Sequence, residues 1–267
     1  MKRIPVMAQG NRKDIVRSQF NRQAQNFSRW SVTKNLEYAE AYFNFCVMTS
    51  DDRLLDISCG SGDFCIFCAQ NITHATGVDL SEKMIVLATQ QSKGSGAENT
   101  TFRCGDAANL PYKAETFFIV ISKSAFHHYS DYSTIFREMM RCCNRHGRIS
   151  VQDIVAYDDA GVNDFFESFE RLVDPSHKVT CSKSFILDLY QQNNINILST
   201  MDVTIDLNLI DYLKHAVRSE KETVILRHFI KAGLKDDAIK NYFYFKGKDL
   251  FFKRNVFLIL GQKETIN

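Results

Sequence analysis

The stretch Leu54–Cys65, LLDISCGSGDFC, constrains the fold more than any other: an apolar run carrying Asp56 stops at Gly60-Ser61-Gly62, and a helix-forming segment follows. A strand that feeds straight into a glycine-bearing bend and a helix presents free backbone amides and a helix N-terminus at the carboxyl edge of a sheet. Gly60 and Gly62 permit positive φ or a close ligand, because neither carries a Cβ. Two glycines at this spacing also read as a tight strand-helix turn with no ligand.

The pattern around the bend extends the unit. Short apolar runs at 54–58, 75–79, 101–104, 117–122 and 148–153 alternate with helical stretches at 63–71, 81–93 and 132–143. That alternation is the βαβ signature of a parallel sheet. Ser81 caps the second helix without a full capping box, and Lys93-Gly94 supplies its stop. Beyond Val155 come two amphipathic helices, NDFFESFERLV and SFILDLYQQNN, and a strand near 197–203. A helical stretch over about 208–245 and a last strand, NVFLILGQK, complete the chain. The expected organisation is an N-terminal helical lid segment, 1–50, before an α/β domain, 51–267, with helical cap insertions at about 155–180 and 207–248.

A chain of 267 residues with 45% hydrophobic content carries enough apolar surface for a sizeable core. Its 33 basic and 31 acidic residues leave a formal charge of +2, so no global field draws nucleic acid or an anionic membrane. No segment reaches the ~18–20 apolar residues of a membrane span, and MKRIPVMAQGNRKD lacks the apolar region of a secretory signal, so a cytosolic protein is expected. The eight cysteines are scattered through apolar stretches and are expected reduced. Cys65 and Cys68 form C-x-x-C and Cys142 adjoins Cys143, but no further pair completes a zinc set, so no metal is expected. The basic, aromatic run FKGKDLFFKR reads as a solvated turn between helix and strand in preference to a nucleic-acid patch.

Two acids describe an adenosine-sized pocket, and a third lies beside it. Asp79 ends the strand ATGVDL, where a carboxylate accepts from vicinal ribose hydroxyls, while Ser81 takes the capping role. In CGDAANLPY, Asp106 is placed to accept from an exocyclic amine and the Ala107 amide to donate to a ring nitrogen. The sixth position of a G-x-G-x-x-G pattern is Cys65, so the dinucleotide fingerprint is incomplete. Asp56, close to where a pyrophosphate would rest, suits a ligand carrying an ammonium group instead.

LLDISCGSGDF, GVDLSEKMI, CGDAANLPY and FFIVISKSAFHHYSD resemble the successive motifs of class I S-adenosylmethionine-dependent methyltransferases. The branch most resembled contains the ubiquinone and menaquinone biosynthesis C-methyltransferases. The resemblance covers residues 19–154, with weaker similarity through FESFERLVDPSH and the final strand. It implies a Rossmann-like, mostly parallel seven-stranded sheet with an antiparallel last strand, helices on both faces and a helical cap. It implies S-adenosylmethionine as cofactor and S-adenosylhomocysteine as product, with Asp56 and the Gly60–Gly62 loop at the methionine moiety and Asp79 at the ribose. Asp106 and Ala107 would hold the adenine, Leu80 and Met84 would pack on its faces, and Ser58 and Gly105 join the cofactor-binding set. Phe20, Phe27 and Trp30, in QFNRQAQNFSRW, either close over the cofactor or serve as core contacts of the N-terminal helix.

Methyl transfer is an in-line displacement from a good leaving group, so the protein chiefly aligns the nucleophile. A base helps where the nucleophile must lose a proton, and histidine suits that near neutral pH. His127 and His128, after the fourth strand, are the favoured site histidines, with a helix cap or a structural hydrogen bond as the alternative. His177, in DPSH, is a further candidate, and Lys123 either contacts cofactor or substrate or reaches solvent. Ser122-Lys123-Ser124-Ala125 differs from the Asn/Asp-Pro-Pro-Tyr of many nucleic-acid amino-methyltransferases. The aromatic-rich insertions favour a small, partly hydrophobic acceptor over a polymer. Competing readings are a non-catalytic S-adenosylmethionine-binding protein, a nicotinamide oxidoreductase, and a methyltransferase of RNA, arsenic or thiols. The acceptor atom and the oligomeric state stay open.

Overall fold

The computed structural model describes residues 12–216 and 219–263, so the first eleven positions of the expected lid segment lie outside the described residues. The organising element is β1 (Arg53–Ile57), whose Leu54, Leu55 and Ile57 are wholly buried. A near-continuous apolar run of this kind belongs to a parallel strand covered on both faces. On one side β1 pairs in parallel with β2 (His74–Asp79), which pairs with β3 (Thr100–Cys104). On the other side it pairs with β4 (Phe117–Lys123), which pairs with β5 (Cys143–Ile154). The strand order reverses at β1 and β4, the point where open α/β sheets take their ligands.

Helices fill both faces. α2 (Leu36–Phe45) and α3 (Asp63–Ala69) pack with Leu54, Ile119 and Ile121 on one side. On the other, α5 (Tyr132–Cys142) and α7 (Lys183–Gln192) enclose Leu55, Val120 and Ile149. α4 (Glu82–Ser95) starts on Ser81, whose Oγ accepts from the Met84 amide, as its sequence implied. It runs through Gly94 and stops at Gly96, which takes the left-handed conformation (φ +72°) with its amide on the Lys93 carbonyl.

The C-terminal half departs further from expectation. The stretch expected to be helical to 245 divides into α8 (Leu209–His215), α9 (Glu220–Gly233) and α10 (Asp237–Lys240). The chain then forms β7 (Phe243–Lys246), which turns at Gly247 (φ +62°) into β8 (Asp249–Lys263). FKGKDLFFKR is therefore not a turn between helix and strand but a hairpin that turns at Gly247, with Phe245 71% exposed on its short strand. β8 runs antiparallel between β5 and β6 (Ile195–Asn208), so β7 is an eighth strand added to the expected seven.

α6 (Ala160–Val173), α8, α9, α10, β7 and Phe252 of β8 form a third apolar cluster, the cap. α1 (Arg12–Phe27) spans from the sheet half to this cap. Asn21 bonds to Ser81 (2.7 Å) and Glu82 (3.0 Å), Asn26 donates to the Lys214 carbonyl (2.9 Å), and Arg12 donates to the Ser176 carbonyl. Among the described residues no helix is long and apolar enough to cross a membrane.

Candidate functional site

The bend after β1 passes repeatedly through left-handed conformations: φ is +62° at Ser58, +55° at Gly60 and +77° at Gly62. The two glycines serve different ends. A Cβ on Gly62 would lie 2.7 Å from both Ala88 and the Phe102 ring, so this glycine lets α3, α4 and β3 close on one another. A Cβ on Gly60 would meet the Phe27 ring of α1 at 3.2 Å, so here the bare backbone receives the roof. Ser58 holds a conformation costly to a residue with a Cβ. Its Oγ lies 2.9 Å from Tyr129 Oη, which lies 3.1 Å from Ser122 Oγ.

Asp79 accepts from the Gly60 amide (2.9 Å) and the Ser81 amide (2.8 Å), tying the tip of β2 to the bend. Burial pushes its carboxyl up to about 6 against the lowering effect of these bonds. Asp56 is more isolated. It is 2% exposed; among the described residues Oδ1 has no hydrogen-bond partner and Oδ2 meets only Cys65 Sγ, at 3.7 Å. Burial pushes Asp56 up to about 7, with Lys123 opposing, and pushes Lys123 itself down. An orphaned carboxylate oxygen beside an open backbone bend fits a ligand that brings its own ammonium group. Asp106 is half-buried, accepts from the Ala108 amide (3.0 Å) and pairs with Lys13 of α1.

These groups share one cavity of about 820 Å³. Asp56, Ser58, Gly60, Asp79, Leu80, Gly105, Asp106 and Ala107 line one part of it, with Lys123 from β4 and with Phe20, Phe27 and Trp30 from the roof. Gly62 and Met84 are outside the wall. Met84, early in α4, is carried wholly into the interior (0% exposed), so the position beside Asp79 falls to Leu80 alone.

His127, His128 and His177 converge on the other part of the cavity. The loop after β4 makes one short turn at Phe126–His128, which brings His127 against Asp153 at the end of β5. His127 Nδ1 is 2.6 Å from Asp153 Oδ1. Burial lowers the His127 pKa, but the Asp153 charge outweighs it and the net shift is upward. His128 Nδ1 donates to the Ser176 carbonyl (3.0 Å), and burial with His127 alongside pushes its pKa down to about 3. His177 stacks on His127 with centroids 5.5 Å apart, and its Nε2 lies 3.3 Å from Glu167.

Sequence reasoning missed Asp153, Tyr129, Glu167, Glu170, Asp174 and Arg254. Asp153 carried a signal, an acid closing the strand run 148–153. Arg254 carried one too, as the polar member of the alternating set Phe252, Arg254, Val256 and Leu258. All eight cysteines are free, and burial raises the Cys65 and Cys68 thiols well above their ordinary value. Among the described residues no group of His, Cys, Asp and Glu is placed to hold a metal ion.

A family model described as a methyltransferase domain matches residues 48–198. YcgJ of Bacillus subtilis, an uncharacterized methyltransferase, is 26% identical over 185 residues, covering 69% of this chain and 73% of that protein. Its crystal structure superposes with a TM-score of 0.76 over 86% of this chain and 100% of its own. A demethylmenaquinone methyltransferase of Listeria welshimeri is 28% identical over 136 residues, 50% of this chain and 58% of that protein. A geranyl diphosphate methyltransferase in complex with SAM shares the fold at a TM-score of 0.59 and 14% identity, over 85% of this chain and 84% of its own. With the family model matched over more than half its length, this chain belongs to the class I S-adenosylmethionine-dependent methyltransferases.

Proposed function

We propose that the protein transfers the methyl group of S-adenosylmethionine to a small, partly hydrophobic acceptor, with His127 as the base where the acceptor must lose a proton. One observation carries this reading: a single cavity of about 820 Å³ joins the glycine bend and its acids to the His127–Asp153 pair. Ligand cavities span ~300–1,000 Å³, so this one has room for a cofactor and a small acceptor together.

When bound, S-adenosylmethionine supplies a methyl carbon on a sulfonium, with a leaving group that needs little help. Asp56 would hold its ammonium group with the orphaned Oδ1, and the Gly60 backbone would face its methionine moiety. Asp79 would offer its carboxylate to the ribose, and Asp106, Ala107, Gly105 and Leu80 would surround the adenine. Phe27 lies across Gly60 and excludes water there, and Phe20 meets His128 edge-on at 5.0 Å. With Nδ1–H donated to Asp153, His127 keeps Nε2 for a proton from the acceptor. His128 stays neutral and props the loop through Ser176. His177 flanks the base by stacking.

The sheet face beside this region is apolar: Ile154, Val203 and Val256 are paired in register across three strands and line the cavity. That wall supports a partly hydrophobic acceptor. Burial of Cys65 and Cys68 speaks against thiol or arsenic chemistry at the mouth. Eight unpaired cysteines suit a reducing, cytosolic setting.

Calorimetric titration tests the cofactor part: S-adenosylhomocysteine should bind one to one and NAD should not. Failure of S-adenosylhomocysteine to bind would sink the proposal. Incubation with labelled S-adenosylmethionine and a panel of small acceptors tests turnover. Label appearing only on RNA or protein would overturn the small-molecule assignment.

A further inference from the structure

Arg254, on β8, is 1% exposed and lines the same cavity. Its guanidinium lies over Tyr157 and Phe166, 5.3 and 5.2 Å from the ring centroids. Nε forms a buried ion pair with Glu170 Oε1 at 3.4 Å that is not a hydrogen bond: among the described residues, Arg254 Nε, Arg254 Nη2 and Glu170 Oε1 are buried and have no hydrogen-bond partner. The other carboxylate oxygen of Glu170 is taken by Tyr212 Oη at 2.5 Å. Two donors and one acceptor therefore stand open side by side, in a cavity wall, at a cost that native interiors seldom carry without a partner for them.

We infer that the acceptor docks on this pair through a neutral group that accepts and donates at once, a hydroxyl or a primary amide. Its oxygen takes the hydrogen bond from Arg254, and its O–H or N–H donates to Glu170 Oε1. Charge sets the preference for neutrality. A carboxylate or phosphate would meet Glu170, with Asp174 in the same wall, inside a low-dielectric cavity. An amine would meet the guanidinium. The rest of the molecule has an apolar surface waiting: Ile205 is directly opposite Arg254 in the β6–β8 register, and the Val203–Val256 pair follows two residues along. Arg254 and Glu170 are thus specificity-determining residues for an uncharged acceptor, an inference that rests on this cavity being the acceptor site.

Ligand-observed NMR titration of four probes, phenol, benzamide, benzoate and toluene, tests the inference on the full chain loaded with S-adenosylhomocysteine. Phenol and benzamide are expected to bind at least tenfold more tightly than benzoate and toluene. Glu170→Gln removes the like charge, so benzoate should gain at least tenfold relative to phenol. Arg254→Met should weaken phenol at least tenfold, and because that residue is buried, Glu170→Gln and Tyr212→Phe keep the test decisive if the methionine variant does not fold. Benzoate binding best to the unaltered protein, four probes binding alike, no probe binding, or a Glu170→Gln variant with unchanged preference would each overturn the inference. S-adenosylhomocysteine binding is measured first. Were it absent, the cofactor reading would fail separately, and the same titrations on the free chain, where the pair already stands open, would still decide the inference.

Discussion

Two adjacent imidazoles acquire opposite chemistry from where their rings are buried. His127 has a carboxylate at 2.6 Å, and Asp153 raises its pKa above the ordinary value despite burial. His128 has a carbonyl and a neighbouring histidine, and burial takes it down to about 3. A base must be neutral to accept a proton, so activity should rise as pH rises through the His127 pKa, above ~6.5. Asp153→Asn should move that limb to lower pH and reduce kcat by ~100-fold, while His128→Ala should leave the limb in place. The pH profile of kcat for the three proteins checks this, and an unmoved limb in Asp153→Asn would remove the pair from the mechanism. His127 was visible in the sequence because it follows the fourth strand of a recognisable series. Asp153 showed only as an acid closing a strand run, because its pairing with His127 is made by the adjacency of β4 and β5 across 26 residues.

At the scale of elements, the glycine bend separates packing from binding. Gly62→Ala places a Cβ 2.7 Å from Ala88 and Phe102 at φ +77°, and is expected to destabilise the fold by ~2–4 kcal/mol, read as a fall in Tm. Gly60→Ala meets only the edge of Phe27 at 3.2 Å. It should cost about 1 kcal/mol of stability and weaken S-adenosylhomocysteine at least tenfold by calorimetry. Equal losses in both measurements for both variants would contradict this division. The βαβ half was legible because each strand, bend and helix is written contiguously in the chain. The hairpin β7–β8 was not: four residues, Phe243–Lys246, are too few to show a period, and a helix precedes them. The proposed acceptor end of the cavity was harder still. Glu167 and Glu170 belong to an amphipathic helix, and tertiary contacts bury them: Glu170 against Tyr212 of α8 and Arg254 of β8, Glu167 against His177 and Thr180 of the segment after α6.

For the whole molecule, the proposed cofactor pocket sets binding against stability. Asp56 is held near 7 in the folded chain against ~3.9 when unfolded, so it binds more protons folded than unfolded in that interval. Stability present below about 4 is therefore lost as pH rises through 7. Asp56→Asn escapes this loss: it should match the unaltered protein near pH 4 and exceed it at pH 8, by as much as ~4 kcal/mol, while binding S-adenosylhomocysteine at least tenfold more weakly. Thermal melts across that range check the sign, and a variant less stable at every pH would refute it.

The roof helix has its own consequence. α1 grips the sheet half through Asn21 and the cap through Asn26 and Arg12, and its Phe20 and Phe27 overhang both parts of one chamber. On the proposed function both guests would sit beneath this helix, and we propose that α1 is the doorway for their entry and release. Throughput becomes a matter of how fast the doorway swings, so added glycerol should slow steady-state turnover in proportion to solvent viscosity while leaving a single loaded turnover untouched.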